Sequence, residues 1–556
     1  MEVSMRKKVI NQGLTVQAIA GTHVVLLGFN MDEAQCNGLL GFAIHRTDHV
    51  EEEAGWLKGL KTFAETDPGL PPGAQYSTRR HPIQGFTWSD FSAKPGYDYT
   101  YRVLALKGTP YDLQPVAEVL VRVQTESPEG GTHDIYFNRG AAASQEYARR
   151  FGNRSPKEVG TAAFEWLSRG LYESMIKFIG LASGPGFELR VCAYEFHYLP
   201  VLEALNAAKM RGAAVWIIYD RRKINPGQKN DAAVEEAGIG SLCIKRMANL
   251  SAISHNKFIV LIKDNKPQAV LTGGTNFTEA GIFGHSNVIH IVEEPEVAEA
   301  YAQYWDLLSA DPKSAALRPK ISKMYKIPTG KPLKGTGSIF SPRKNLDALE
   351  WYASLAAGAK YGFFMTFAFG MHPSFQEVYR TSSAIMRFAL LEKTTRPMKS
   401  GPERDAEEAK IIALRKFPEN RFAVGAYLKL NNYDRWLAER LSGLNENIQY
   451  VHTKFMLIDP LSEDPILVTG SANFSEASTN KNDENMLIIH GNKRVAEIYL
   501  GEFMRMYNHY AFREWASKHK ADSQEMLMLK HLRTDDWWKA YFGNTERSQQ
   551  REYFSG

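Results

Sequence analysis

Residues His452–Phe474 read HTKFMLIDPLSEDPILVTGSANF. Two apolar runs separated by a turn-rich centre predict a β-hairpin, yet the first run opens with a histidine and a lysine two positions apart. On a strand, residues two apart share a face, so His452 and Lys454 project together, and Asn473 is expected to meet them on the paired strand.

The same pattern occurs a second time. His255–Val292, HNKFIVLIKDNKPQAVLTGGTNFTEAGIFGHSNVIHIV, and His452–Ile489, HTKFMLIDPLSEDPILVTGSANFSEASTNKNDENMLII, align without a gap over 38 residues with ten identities. Roughly two are expected by chance from average usage. The identities include His255, Lys257 and Asn276 against His452, Lys454 and Asn473, at a constant offset of 197. A helical segment follows each copy, EVAEAYAQYWDLLSA and RVAEIYLGEFMRMYNHY. The chain therefore reads as containing two related α/β lobes, 132–315 and 340–520.

Before each hairpin the segments alternate between strand and helix. FELRVCAYEF, YLPVLEALNAAKMRG and AAVWIIYD stand in the first lobe, and YGFFMTFAF, HPSFQEVYRTS and AIMRFALLE in the second. Such βαβ order predicts a parallel-rich sheet covered by helices. Residues 14–125 differ: short period-2 runs such as LTVQAIAG, THVVLLGF and YTYRVLAL, broken by Gly, Pro and Asp, predict an antiparallel sandwich over residues 1–127. SPEGG, Ser127–Gly131, reads as a linker, and residues 521–556 as a helical, aromatic tail whose DDWWKAYF is expected to pack against a lobe.

Composition narrows the function classes. With 556 residues, 44% hydrophobic and 12% aromatic, the chain is globular and multidomain, and a net charge of only +5 excludes a histone-like coat for nucleic acid. Any phosphate-binding surface must be local. Three cysteines, Cys36, Cys192 and Cys243, with no CxxC pair, argue against a disulfide framework and a thiolate zinc site. The amino terminus MEVSMRKKVINQG lacks an apolar signal core, and YGFFMTFAFGM is too short to span a bilayer, so a cytoplasmic location is expected unless export follows a route without a signal peptide.

Each lobe thus offers an imidazole, an ammonium and an amide at one end of its sheet. If the lobes face each other, two histidines flank one anion, an arrangement suited to displacement at a phosphodiester. One histidine attacks phosphorus to give a phosphohistidine, and the other protonates the leaving oxygen and then activates water or an alcohol. Lysines and asparagines hold the non-bridging oxygens. The scheme calls for no metal and no cofactor. His197 and His372, each just after the first strand of its lobe, are weighed as residues lining the cleft or merely packed.

These residues resemble the phospholipase D superfamily, whose two copies of HxKxxxxD followed by GSxN define its active site. The second copy matches in full: His452, Lys454, Asp459, Gly470, Ser471 and Asn473, with Glu484 where the family places an acid that orients the catalytic histidine. The first matches in part: His255, Lys257, Gly273 and Asn276 fit, but Ile262 replaces the aspartate, Gly274 the serine, and Asn287 stands opposite Glu484. The resemblance implies two phospholipase D-type α/β lobes packed as a pseudo-dimer. Pairing each histidine with the acid or amide of its own repeat would leave His255 the less basic nucleophile and His452, backed by Glu484, the general acid. A similar asymmetry is found in the tyrosyl-DNA phosphodiesterase branch. The segment FSAKPGYDYTYRVLAL, with Tyr99 and Tyr101 at alternate positions, resembles the immunoglobulin-like fibronectin type III pattern, for which a partner is unknown.

Substrate depends on the cleft walls. The favoured reading is phospholipid head-group hydrolysis; the alternative is a nuclease of the same superfamily, and a third is a binding protein with a decayed first site. The basic segment Arg318–Gly337 offers a strip for phosphates of a membrane surface or of nucleic acid, and Lys393–Lys410 reads as a flap or cleft rim. A lipid enzyme should have an apolar, accessible cleft mouth, and a nuclease a long basic groove.

Overall fold

The computed structural model describes residues 5–381, 385–395, 401–426, 444, 450–518 and 530–556. At the amino-terminal end, two four-stranded antiparallel sheets face each other. One runs in the order Arg6–Asn11, Leu14–Ala20, Val25–Asn30, Thr87–Asp90, and the other Asp112–Gln124, Asp98–Thr109, Gly41–Asp48, Glu53–Trp56. Tyr99 and Tyr101 share an inward face and are fully buried, and the Tyr101 hydroxyl donates to Asp90 at 2.9 Å. Alternation along these strands thus directs one face of each sheet into a common core.

The aromatic cluster DDWWKAYF completes this sandwich and does not pack against a lobe as the sequence suggested, whereas Tyr553 and Phe554 farther along the tail pack on the core of the second lobe. Trp537 and Trp538 lie in the sandwich core, the Trp537 indole donates to the Leu39 carbonyl at 2.7 Å, and Phe86 packs on Trp537, Tyr541 and Phe542. The final helix, Glu546–Ser555, crosses Val25–Asn30 so closely that a Cβ on Gly28 would sit 2.1 Å from the Phe554 carbonyl oxygen. The aromatics of DDWWKAYF are spent on an apolar gap left by the sandwich itself.

Two seven-stranded sheets follow. The first comprises β1 (His133–Phe137), β2 (Phe187–Ala193), β3 (Ala214–Asp220), β4 (Cys243–Arg246), β5 (Lys257–Lys263), β6 (Lys266–Gly273) and β7 (Val288–Val292). The second comprises β8 (Gly335–Ser341), β9 (Gly362–Phe367), β10 (Met386–Leu391), β11 (Asn420–Val424), β12 (Phe455–Ile458), β13 (Ile466–Gly470) and β14 (Glu484–His490). Their orders, β1-β7-β6-β5-β2-β3-β4 and β8-β14-β13-β12-β9-β10-β11, correspond strand for strand.

Neither sheet is parallel-rich, contrary to expectation. In the first, only β2–β3 and β3–β4 are parallel, while β2–β5, β5–β6, β6–β7 and β1–β7 are antiparallel. The βαβ signal extends over the first strands alone. The histidine-lysine strands continue through short connections, and a tight hairpin can join only antiparallel strands.

The sheets meet edge to edge at the ends of β5 and β12. The His255 N–H donates to the Asp483 carbonyl at 2.9 Å, and the His452 N–H donates to the Ser286 carbonyl at 3.1 Å. These two bonds are counterparts under the 197-residue offset. Asn485 joins the lobes further in, accepting from Thr272 at 2.6 Å and donating to Asn256 at 2.8 Å.

Candidate active site

His255 precedes the first residue of β5 by two positions and His452 that of β12 by three, and both are about 3% exposed. Their backing groups are exchanged between the lobes. His255 Nδ1 donates to Glu484 Oε2 at 2.9 Å, and His452 Nδ1 lies 3.4 Å from Asn287 Oδ1. The pairing within each repeat expected from sequence is therefore wrong. The seam places the start of β14 against His255 and the start of β7 against His452, so each partner arrives from the opposite lobe.

The neighbours fix both tautomers. Asn287 Nδ2 donates to the Gly281 carbonyl at 2.9 Å, which turns Oδ1 toward His452 and puts the proton of His452 on Nδ1. The Glu484 carboxylate accepts from Ser471 Oγ at 2.7 Å as well as from His255. Each imidazole therefore presents a bare Nε2 to the pocket. At the equivalent of Ser471, a Cβ on Gly274 would stand 3.0 Å from Asn287 Oδ1, so a side chain there would crowd the amide.

Lys257 and Lys454 are fully buried, and each Nζ donates to the carbonyl of the histidine two residues before it, His255 and His452, the latter at 2.5 Å. Asn276 and Asn473 stand three residues beyond β6 and β13, on the following loops rather than on the paired strands. Asn276 Nδ2 donates to Glu195, while Oδ1 of Asn276 and Oδ1 of Asn473 are buried without a hydrogen-bond partner among the described residues. Gly273 and Gly470 end those strands: a Cβ on either would strike the neighbouring strand, 2.3 Å from the Val288 or Asn485 carbonyl oxygen.

Four buried cationic or protonatable groups in one pocket disfavour one another's charge. Burial pushes the His255 imidazole down to about 4 despite Glu484, and the Lys257 ammonium down to about 8. His452 is held well below its ordinary range by burial and then by Lys454, His285, Lys257 and His255; Lys454 is lowered by burial and Lys257. An anion in the pocket would relieve both burdens at once.

Asp459 sits away from this chemistry. Its carboxylate accepts from the N–H groups of Lys360, Tyr361 and Gly362 at 2.7–3.0 Å, pinning the start of β9 at the far end of β12. Its counterpart Ile262 is a buried core residue. His372 caps the helix Pro373–Arg380 by accepting from Ser374 N–H at 3.2 Å, and the His197 N–H donates to the Phe277 carbonyl at 3.2 Å. Lys331 and Lys334 of the basic segment pair with Asp464, and Arg318 caps Asn480. Of Lys393–Lys410, residues 396–400 lie outside the described residues, and a helix spans Gly401–Leu414.

Sequence reasoning missed three neighbours. His285 stacks on His452 with ring centroids 4.6 Å apart, and its Nδ1 accepts from Asn287 at 3.1 Å. Tyr194 meets His255 edge-on at 5.1 Å and lies under Lys257 Nζ. Glu195 holds Asn276. Their position directly after β2, or two residues before Asn287, was the available signal. Among the described residues no group of three or more His, Cys, Asp or Glu side chains is arranged to hold a metal ion, and no helix is long and apolar enough to cross a membrane.

The family model for the phospholipase D-like domain of cardiolipin synthase matches residues 175–308 and 411–507, which contain every histidine, lysine and asparagine of the pocket named from sequence, and Glu484. These two stretches are similar to a phospholipase D-like domain. Phospholipase D of Rickettsia felis is 33% identical over 113 residues, covering 20% of this chain and 52% of the relative. The chain spans about half the length of such curated relatives, 52% for Rickettsia felis and 48% for Rickettsia typhi. Among solved structures, the phospholipase D family member Nuc of Salmonella typhimurium is 30% identical at a TM-score of 0.20, covering 24% of this chain and 84% of Nuc. Phosphatidylserine synthase of Haemophilus influenzae Rd KW20 is 12% identical at a TM-score of 0.44, covering 66% of this chain and 94% of the synthase.

Proposed function

We propose that the chain is a phosphodiesterase working through a phosphohistidine, with phospholipid as its substrate. The observation that carries the reading is the convergence of two imidazoles, each fixed at Nδ1 by a group from the opposite lobe, on one pocket with two buried lysines. The curated relatives of Rickettsia carry the name phospholipase D, which favours lipid over nucleic acid.

His255 is the nucleophile. Its bare Nε2 attacks phosphorus, the bond to the leaving oxygen breaks, and the positive charge gained by the ring is met by Glu484. This keeps the role expected for His255 but reverses its basis, since a carboxylate and not an amide lies behind it. His452 carries the proton: the charge of a bound phosphodiester raises its basicity, and Nε2 takes up a proton and delivers it to the leaving oxygen. In the second half His452 removes a proton from water, whose oxygen attacks phosphorus as the bond to His255 breaks. Lys257, Lys454, Asn276 and Asn473 hold the non-bridging oxygens through N–H donors.

A nuclease of the same superfamily would use the same groups, and only substrate separates the two. Turnover in EDTA of labelled phosphatidylcholine and phosphatidylethanolamine vesicles, beside labelled single- and double-stranded DNA, tests this with wild type and His452→Ala. Head-group release lost in the variant supports the lipid reading, and DNA cleavage lost in the variant replaces it with the nuclease. Inactivity on both substrates counts against both readings and favours a binding protein.

A further inference from the structure

We propose that residues 221–226 and 247–253 form a lip that docks the pocket onto an anionic phospholipid surface. This rests on the phospholipid reading above and adds where and how the surface is met.

The two segments follow the carboxy-terminal ends of β3 and β4, the same edge of the sheet that presents His255. They are tied together: the Arg221 N–H donates to the Arg246 carbonyl at 3.1 Å, and Arg222 reaches the Leu250 carbonyl at 3.4 Å. The second segment then runs directly into the site, with the Ser254 N–H donating to Asp220 at 2.8 Å just before His255.

Three large aliphatic side chains on this lip face solvent: Ile224 is 72% exposed, Met247 49% and Leu250 70%. Along the second segment the backbone is held while the side chains of Met247 and Leu250 are left out. Asp311 accepts from Arg246 at 2.6 Å and from the N–H groups of Met247 and Ala248 at 3.1 and 3.0 Å, and Asn249 bonds Ser314. A fixed backbone presenting aliphatic groups to water is a cost that burial in acyl chains would recover.

Charge identifies the surface. Lys223, Lys313 and Lys481 stand exposed around the lip, and Ser314 links it to Lys481 by donating to that carbonyl at 3.0 Å. The acids that touch the lip are each engaged: Asp220 by Ser254, Asp311 by the lip backbone, Asp483 by Arg246 at 2.9 Å, and the half-buried Asp231 by Arg221 and Lys245. Cations ringing aliphatic tips match anionic head groups over hydrocarbon. Single-stranded nucleic acid is taken instead by aromatic side chains on which bases stack, and the lip offers none.

The test compares wild type with the triple variant Ile224→Ser, Met247→Ser, Leu250→Ser, which changes only exposed side chains. Co-sedimentation with vesicles of phosphatidylcholine and phosphatidylglycerol reads docking without turnover. Hydrolysis of those vesicles and of a short-chain phosphatidylcholine kept monomeric reads function. The expected result is a roughly tenfold or greater loss of vesicle binding and vesicle hydrolysis, with monomer hydrolysis unchanged. Unchanged vesicle binding, an equal loss on monomer and vesicle, or a loss confined to single-stranded DNA binding would each overturn the proposal. Lip-dependent vesicle binding by a wild type that hydrolyses neither lipid would sustain the docking surface and overturn the phospholipid reading alone.

Discussion

Replacing Glu484 by Gln removes the negative charge behind His255 and leaves the volume almost unchanged. In the first step the His255 ring becomes cationic, and the buried carboxylate at 2.9 Å from Nδ1 then forms a charge-assisted hydrogen bond. Such bonds contribute about 1.5–3 kcal/mol, which corresponds to a roughly 10- to 150-fold slower phosphohistidine formation. The loss belongs to the nucleophile and not to the proton donor, because Asn287 backs His452. An ester of an acidic phenol leaves without needing a proton, so it separates the two functions. Burst kinetics on bis(p-nitrophenyl) phosphate should show Glu484→Gln still impaired, whereas Asn287→Ala, defective on an alkyl ester, should recover most of its rate. Recovery of Glu484→Gln, with Asn287→Ala remaining slow, would refute the exchanged pairing as the basis of the roles.

Asp459→Ala should lower stability by about 1–3 kcal/mol, since three backbone N–H groups lose their acceptor, with kcat/KM of the folded enzyme within about twofold of wild type; denaturant unfolding beside a turnover assay checks both. Acid should destabilise the fold early. His255, His133 and His285 are pushed down by burial to about 4, 4 and 3, so below the unfolded value near 6.5 only the unfolded chain takes up those protons. The stability they leave intact above about pH 6.5 then falls as pH drops toward 4, by up to about 1.4 kcal/mol per pH unit for each group. Urea midpoints that stay level between pH 7 and pH 5 would contradict this.

The strand alternation of the amino-terminal region and the hairpin at His452 were legible because period and turn chemistry are local signals. The repeat at offset 197 made His255, Lys257 and Asn276 readable as counterparts of His452, Lys454 and Asn473. What stayed hidden was the contact between repeats. Glu484 lies 229 residues from His255, and Asn287 165 from His452, so neither distance carries a pattern, and adjacency in the chain favoured the wrong partner in each case. Parallel pairing was over-read for a related reason: β2 and β3 announce a βαβ unit, but β5 inserts antiparallel beside β2. Trp537 and Trp538 were recognisable as packing residues, but composition does not say which core has room for them. The lip was invisible as well, since Ile224, Met247 and Leu250 read as ordinary apolar residues until their exposure is known.

The central claim is that His255 becomes covalently bound to phosphorus. Rapid acid-free quenching of the enzyme with phosphatidylcholine labelled in its phosphatidyl part, followed by proteolysis and peptide mapping of the bound phosphatidyl group, measures it directly, with His255→Ala as the control that cannot form the bond. The account predicts label on the peptide containing His255 in the wild type and none in His255→Ala. Label on His452 in the wild type, or no covalent phosphorus during demonstrable turnover, would contradict it.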